Sequence, residues 1–328
     1  FTGLGEHKMR SPVTVRLTAA GGMEILVAAT EMGQGAVSVL PQIAAEASGF
    51  ALEDVVLAEP ETTAVPDSGP TVASRTTMVV GGTVARAAAA LRDRVLAAIE
   101  GAGETLAVRD GDVVGPGGAK GRLRDLARDH FRRHGPSALT LRHEPPPWQV
   151  FDDQTYQGVA YATYGWGAEV VELEVDADTL AATPVTASVT VEMGRVIHET
   201  LARGQIEGGT LQSVGWALLE EMKLEGGRHL NDRLATYIIP TIKDTPRMDV
   251  VMLESPWEGG PFGAKGIGEL PMDGGAPAVA AALENATGIF PAEVPATPEK
   301  LLAWEREGAV VKGMRRRLRA RRAGEAAS

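Results

Sequence analysis

One acidic residue lies at the end of a glycine-rich run near position 260. Five of the ten residues from 259 to 268 are glycines, and Glu269 and Pro271 follow them. Glycine permits tight turns and close backbone approach to a bulky ligand, and proline stiffens the exit from the run. A carboxylate held there can act as a general base, which makes Glu269 the first candidate for catalysis. Taken alone, however, the segment favours a simpler interpretation, a surface loop whose glutamate begins a helix.

Two glutamines and a hydroxyl-rich segment have comparable surroundings. Gln34 lies between two glycines at the start of a predicted helix, where backbone N–H groups lack intrahelical partners. Its amide can donate a hydrogen bond to an oxo or phosphate oxygen. Gln205 repeats the pattern of a glutamine near glycines, and 70–77 supplies hydroxyls before another predicted helix. Capping or turn geometry explains each motif alone. Together with Glu269, however, they favour a site for an anionic cofactor.

Composition excludes several other chemistries. The 328 residues include no cysteine, so this chain holds no disulfide, thiolate zinc site, cysteine nucleophile or cysteine-ligated iron–sulfur cluster. The net charge of −11 does not resemble that of a nucleic-acid binder, although 312–322 carries seven basic residues. We interpret this tail as frayed or docked on another subunit, with RNA or acidic lipid as the alternative contact. Neither a membrane span nor a signal peptide is indicated, so we expect a cytoplasmic protein.

The elements that must position these residues recur along the chain. Two predicted strands, a helix and a third strand occupy 13–58, and a second helix follows at 84–99. The same order returns within 169–286, again with Glu-Met-Gly after the second strand. We therefore predict an α+β fold of two related α+β lobes. In the first helix, one face is expected to be buried: Val37, Leu40, Ala44 and Ala47. The expected domains are a first lobe at 1–107, a Gly/Pro/Arg-rich connector with one short helix at 108–150, a second lobe with the catalytic Glu loop at 151–310, and a basic tail at 311–328.

Four motifs in order resemble those of a known family. They are Glu31-Met-Gly-Gln-Gly, the stretch from Val65 to Ser74, Gly204-Gln-Ile-Glu-Gly-Gly and Lys265-Gly-Ile-Gly-Glu-Leu-Pro. Together they are similar to the molybdopterin-binding subunit of the xanthine dehydrogenase and aldehyde oxidase family. The resemblance covers the C-terminal half of that subunit. It suggests the medium molybdopterin subunit of a split enzyme of the nicotinate dehydrogenase type, or a fragment of a longer chain.

The resemblance implies a molybdenum hydroxylase that oxidises an N-heterocycle or an aldehyde with oxygen from water. Glu269 would be the general base, acting on a metal-bound hydroxyl group, and Gln34 would lie beside the apical oxo ligand. The cofactor is molybdopterin, with its cytosine dinucleotide as an alternative form, and its dithiolene rather than the protein holds the molybdenum. The implied cofactor-binding residues are Met32, Gly33, Gln34, Gly35, Ala73, Ser74, Thr76, Gln205, Lys265, Gly266 and Gly268.

The resemblance also implies partner subunits. Because the chain lacks cysteine and a recognisable flavin site, iron–sulfur and FAD subunits would carry the electrons away, and an N-terminal molybdopterin half-subunit would complete the site. We expect activity only in the presence of these partners, on a small-molecule substrate. Two departures from the family pattern, Arg75 and the pair His198-Glu199, bear on the pterin-tail pocket and on the loop after Gly194. They leave open the alternative of a scaffold subunit that has lost the cofactor.

Overall fold

The structure is a computed structural model, and it describes residues 3, 6, 10–99 and 105–307. The predicted basic tail at 311–328 lies outside these residues. The chain divides into two compact units, each assembled from separate segments. Unit 1 comprises Phe1–Gly165, Met193–Ala202 and Glu254–Gly268, and unit 2 comprises Trp166–Glu192, Arg203–Leu253 and Glu269–Ser328. In the described ranges, every helix is too short or too polar to span a lipid bilayer.

Unit 1 contains nine strands and three α-helices among its described residues up to position 165. In chain order they are β1 (Val13–Leu17), β2 (Met23–Leu26), α1 (Ala36–Ser48), β3 (Val55–Leu57), α2 (Gly81–Ala97), β4 (Ala107–Arg109), β5 (Asp112–Gly115), β6 (Gly118–Arg122), α3 (Leu123–His134), β7 (Ala138–Leu141), β8 (Phe151–Asp152) and β9 (Gln157–Gly158). The main sheet has the strand order β3-β2-β1-β7. Within it β1 pairs antiparallel with β2 and β7, whereas β3 runs parallel to β2.

The core of unit 1 follows from apolar periodicity. Every second residue of β1 is buried, because successive side chains of a strand point to opposite faces. Apolar periodicity places four residues of the second predicted helix on one face, and all four are buried in α2: Val84, Ala88, Leu91 and Val95. In α1 the prediction for Val37 is wrong, since this side chain is 51% exposed while Leu40 and Ile43 face the core. Val37 lies in the first turn, where its N–H bonds the carboxylate of Glu31.

The segment predicted as a connector, 108–150, contains more structure than one short helix. Strands β4, β5 and β6 form a small antiparallel sheet, α3 follows them, and β7 joins the main sheet beside β1. All five residues of β6 are exposed and none is a large apolar residue. Such a strand lacks the alternation from which strands are predicted.

The remaining elements lie mainly in unit 2. They are β10 (Trp166–Val175), β11 (Ala182–Glu192), α4 (Glu199–Leu218), β12 (Leu224–Glu225), β13 (Arg228–His229), β14 (Arg247–Leu253), α5 (Leu270–Asp273), α6 (Gly275–Thr287) and α7 (Pro298–Glu307). The sheet has the order β10-β11-β14, in which β10 and β11 are antiparallel and β14 is parallel to β11. The strands β10, β11 and β14 are therefore paired in the same way as β1, β2 and β3 of unit 1.

Both lobes therefore consist of a hairpin, a helix, a third strand parallel to the second, and a second helix. The prediction of an α+β fold with two related lobes is confirmed. Each Glu-Met-Gly tripeptide occupies the same place in its lobe, at or after the end of the second strand. The loop before the second helix carries the hydroxyl-rich segment in the first lobe and Glu269 in the second.

Candidate functional site

The loop between β2 and α1 is organised by Glu31, a residue that its motif alone did not mark as important. Its carboxylate accepts hydrogen bonds from the N–H groups of Gly33 at 2.7 Å, Gly35 at 3.0 Å and Val37 at 3.0 Å. Burial favours the protonated acid, but these backbone donors hold the pKa of Glu31 below its usual value. Gly33 and Gly35 have φ of 105° and 85°, a backbone region that favours glycine.

Gln34 is held within the same loop by both ends of its amide. Its Oε1 accepts a hydrogen bond from the N–H of Met32 at 2.7 Å, and its Nε2 donates one to the carbonyl of Thr30 at 2.6 Å. Because an amide nitrogen carries two hydrogens, the second N–H can serve a ligand. The side chain of Met32 is exposed. Hydrogen bonds within the loop thus hold its polar groups in place.

The hydroxyl-rich segment has an unusual backbone. Ala73 and Ser74 are consecutive residues with φ of 51° and 50°, which for residues other than glycine costs on the order of 1–3 kcal/mol each. A π-helical turn, Thr76–Val80, follows and leads directly into α2. Both features are rare and occur preferentially at functional sites. Thr76 therefore opens the helical segment, and the N–H groups of Thr76 and Thr77 find no acceptor among the described residues.

Ser74 and the glycine-rich run near position 266 are in contact within unit 1. A Cβ added to Gly266 would overlap the carbonyl oxygen of Ser74 and lie 2.9 Å from its Cβ. A Cβ on Gly268 would lie 3.7 Å from the hydroxyl of Ser74. Lys265 is buried, and its Nζ donates a hydrogen bond to the carbonyl of Tyr164 at 3.0 Å. The structure thus brings together two motifs that are about 190 positions apart.

Arg75 lies in the core of unit 1 and does not extend toward a surface pocket. Its side chain is 1% exposed, and its Nε and Nη2 contact the two carboxylate oxygens of Glu6 at 2.6 and 3.0 Å. Its Nη1 donates hydrogen bonds to the carbonyls of Ser68 and Pro70. Nη2 also contacts the hydroxyl of Ser11. This departure from the family pattern forms a buried ion pair that fixes the loop before Ser74.

The second departure, at His198, serves as a helix cap. The Nδ1 of His198 accepts a hydrogen bond from the N–H of Leu201 at 3.3 Å, and its carbonyl accepts one from the N–H of Ala202. Both donors belong to the first turn of α4, whose N–H groups have no partners within the helix. His198 therefore provides the cap that a side-chain acceptor normally supplies at this position.

Glu269 belongs to unit 2 and is the N-cap residue of α5, a helix of one turn. Its side chain is exposed among the described residues, and its carbonyl accepts the N–H of Met272 at 2.9 Å. Pro271 in this turn packs against α4, since a Cβ on Gly209 would lie 2.9 Å from the Cβ of Pro271. The hydroxyl of Thr210 donates a hydrogen bond to the carbonyl of Pro271. The small residues of α4 thus set the position of the turn that carries Glu269.

Gln205 lies inside α4, whereas Gln34 precedes α1. It is partly buried, and Gly204 and Gly208 leave open space beside it, because a Cβ on either would meet nothing within 4 Å. Of the predicted site residues, only Gln205 and Glu269 belong to unit 2. The others belong to unit 1.

A second carboxylate in unit 2 is absent from the residues predicted from the sequence. Glu169 is on β10, and its Oε2 is buried without a hydrogen-bond partner in the described part of the chain. Burial, and to a smaller extent the charge of Asp273, raise the pKa of Glu169 to about 7, although the N–H of Gly274 opposes the shift. A signal was present in the sequence: alternation places Glu169 on the face of β10 that buries Val171.

The residues of unit 1 fit a bulky anionic cofactor such as a pterin phosphate. A Cβ on Gly33 would meet nothing within 4 Å, so the backbone there can be approached closely. The unpaired N–H groups of Thr76 and Thr77, which open a helical segment in the described part of the chain, suit a phosphate group. Both features lie in motifs that were predicted from the sequence to bind a cofactor.

Comparison with known proteins identifies the family. Residues 2–246 match the molybdopterin cofactor-binding domain. The chain is 31% identical to a probable xanthine dehydrogenase subunit of Bacillus subtilis over 89% of its own length and 38% of the relative. It is 30% identical to the gamma subunit of the 6-hydroxypseudooxynicotine dehydrogenase complex of Paenarthrobacter nicotinovorans, over 88% and 37% of the two chains. The crystal structure of quinoline 2-oxidoreductase from Pseudomonas putida 86 superposes with a TM-score of 0.74 and 26% identity, over 90% and 38% of the chains.

The chain belongs to the molybdopterin cofactor-binding domain family, within the xanthine dehydrogenase and aldehyde oxidase group. It spans less than two fifths of the length of these relatives and so corresponds to part of a molybdopterin-binding subunit. The predicted family is therefore confirmed.

Proposed function

We propose that this chain is the molybdopterin-binding part of a molybdenum-dependent hydroxylase that oxidises an N-heterocycle or an aldehyde with oxygen derived from water. The observation that carries the proposal is the contact between Ser74 and Gly266. It brings together two motifs that were predicted from the sequence to bind the cofactor, and the second of these motifs continues along the chain to Glu269. Family membership and the names of the relatives, which are dehydrogenase subunits, support the same function.

The cofactor would be molybdopterin with molybdenum, and the cytosine dinucleotide is one form of it that the site could take. When bound, it supplies the two-electron redox centre and activates an oxygen derived from water. The loop from Met32 to Gly35 would approach it through its backbone and through the second N–H of Gln34. Ala73, Ser74 and Thr76, with Lys265, Gly266 and Gly268, would form the part of the site that holds the pterin and its phosphate. Gln205 would add a contact from α4.

Glu269 would act as the general base. A carboxylate can accept the proton of the water-derived nucleophile as that nucleophile attacks the substrate carbon, and such a base typically contributes ~10²–10⁴-fold to the rate. Its place at the N-cap of a short turn supports this role, because the packing of Pro271 against α4 would limit the movement of the backbone that carries it. Orientation of this kind is what a general base requires.

Partner polypeptides would complete the enzyme. The segment 222–242 of unit 2 exposes seven large apolar side chains, among them Leu234 at 81% and Ile242 at 87%. Such a concentration of exposed apolar surface is typical of an interface. We assign it to an N-terminal molybdopterin half-subunit, and we expect iron–sulfur and FAD subunits in the same complex because this chain has no cysteine for clusters.

A molybdenum assay combined with Glu269→Gln tests the proposal. We expect the purified complex to contain near-stoichiometric molybdenum, and the variant to keep the metal while its turnover falls ~10²-fold or more. Metal can be measured by elemental analysis and turnover with a panel of N-heterocycles and aldehydes. Glu174→Gln, at an exposed glutamate of β10 outside the 222–242 segment, is the control and should keep full turnover. A complex without molybdenum would instead support a scaffold subunit that has lost the cofactor.

A further inference from the structure

Strand β10 contacts both ends of the turn that begins at Glu269. At one end, Leu270 packs over Gly167, since a Cβ added to Gly167 would lie 3.5 Å from the Cδ1 of Leu270. At the other end, a Cβ on Gly274 would lie 2.8 Å from the carboxyl carbon of Glu169. Gly167 and Glu169 are two positions apart and share a face of the strand. Helix α5 is therefore supported along its length by one strand of the same unit.

Gly274 is the junction of the two helices. It is both the C-cap residue of α5 and the N-cap residue of α6. Its N–H donates a hydrogen bond to the carboxylate of Glu169. On α4, Ser213 packs against Gly275 and its hydroxyl accepts the N–H of Ala276. Glu169 on β10 and Ser213 on α4 thus both contact the junction between α5 and α6.

The surroundings of Glu169 favour its neutral form. The buried Oε2 has no partner in the described residues, and Asp273 of α5 places a second negative charge nearby. The group that α4 presents to the junction is the neutral Ser213, and the first turn of α6 carries no acidic residue. An ionised Glu169 would therefore be a partly buried charge beside the like charge of Asp273, with no counter-ion among the described residues.

We propose that Glu169 is a positioning residue for Glu269, which closes the junction between α5 and α6 in its neutral form and loosens it when ionised. The link to catalysis rests on the proposed role of Glu269 as the base. Because Glu269 caps α5, a looser junction lets the turn move and displaces the carboxylate from its working direction. The decline of turnover at alkaline pH would then be caused by ionisation of Glu169 and not by ionisation of Glu269.

Hydrogen exchange in the full chain tests the proposal without any need for activity. Between about pH 6 and about pH 8, the opening equilibrium of the amides at 272–276 should rise about tenfold, after correction for intrinsic rates, if opening returns the carboxyl to its ordinary pKa. Glu169→Gln imitates the neutral acid and should abolish this rise. Glu169→Ala removes the acceptor for Gly274 and should leave the junction open at both pH values. Glu174→Gln, an exposed glutamate of the same strand, is the matched control and should behave as the wild type.

Two results would overturn the proposal: a rise in Glu169→Gln equal to that of the wild type, or full protection in Glu169→Ala. In the assembled enzyme, Glu169→Gln should keep turnover at alkaline pH, where that of the wild type declines. The two proposals can fail separately. If Glu269→Gln retains turnover, the proposed base role of Glu269 is wrong although the exchange result stands. If the hydrogen exchange of the wild type does not change with pH, the positioning role of Glu169 is wrong and the base role of Glu269 is unaffected.

Discussion

Three glutamates, one in unit 1 and two in unit 2, have the same functional group and different behaviour because their surroundings differ. Glu31 accepts three backbone N–H groups and is held in its ionised form. Glu169 is partly buried beside Asp273 and holds its proton up to about pH 7. Glu269 caps a one-turn helix and is exposed. Only Glu269 was chosen from the sequence. Strand alternation marked the face of Glu169, but the unpaired Oε2 of Glu169 and the hydrogen bonds of Glu31 arise only once the chain has folded.

Loss of the Glu31 carboxylate should destabilise unit 1. We expect Glu31→Ala to lower the free energy of unfolding by about 0.5–2 kcal/mol at neutral pH, the usual effect of removing a side-chain cap. Because the folded pKa lies below the ordinary value of 4.5, the stabilisation is complete above that value and is lost as the pH falls through the folded pKa. Chemical denaturation at several pH values measures the effect, with the exposed Glu46→Ala of α1 as control. A difference that persists in strong acid would contradict this explanation.

At the scale of elements, apolar periodicity was sufficient to predict the main strands and helices of the two lobes. The first strand was predicted at 13–17, which coincides with β1. The helices predicted at 84–99 and 275–286 lie within a few residues of α2 and α6, because their buried faces repeat with the period of the element. Strand β6 was missed since it buries nothing, and Val37 was misplaced because a first turn is shaped by its cap. The π-helical turn at Thr76–Val80 and the contact between Ser74 and Gly266 depend on long-range packing, which one sequence does not encode locally.

Two adjacent glycines of α4 should respond oppositely to the same substitution. Gly208→Ala meets nothing within 4 Å and should raise the free energy of unfolding by about 0.5–1 kcal/mol through helix propensity. Gly209→Ala gains the same propensity but places its Cβ 2.9 Å from Pro271, and overpacking of this kind costs about 1–3 kcal/mol. Thermal denaturation of the two variants compares them directly. Equal stability would show that Pro271 yields without cost and that α4 does not fix the turn.

At the scale of the whole molecule, the chain is a part that leaves a large apolar surface exposed. It spans 37–38% of the two bacterial dehydrogenase subunits, and unit 2 leaves the apolar side chains of 222–242 exposed. Two lobes with the same order of elements are arranged in one chain, yet their loops differ: the first carries the candidate phosphate contacts and the second carries the candidate base. Family membership and the lobe of each motif follow from the sequence, whereas the contact between Ser74 and Gly266 within unit 1 required the structure.

Replacement of the most exposed of these side chains should weaken assembly and spare folding. We expect Leu234→Ser and Ile242→Ser to leave the thermal midpoint of the chain unchanged, since little buried surface is lost, and to weaken binding of the half-subunit by roughly tenfold or more if they are central to the interface. Affinity measured with purified subunits gives the result. Leu52→Ser, at an exposed position in unit 1, is the control. Unchanged affinity in both variants would place the interface elsewhere.

The π-helical turn at Thr76–Val80 sets the rotational phase of the segment before it. A π-helical turn contains about one residue more than an α-helical turn, and successive residues of an α-helix are about 100° apart around the axis. Deletion of one residue from the turn would leave the buried stripe of α2 in place and would rotate the upstream chain by about 100°. Ser74 would then lose its contact with Gly266. The extra residue thus acts as a spacer that sets the orientation of the segment containing Ser74 independently of the buried stripe of α2.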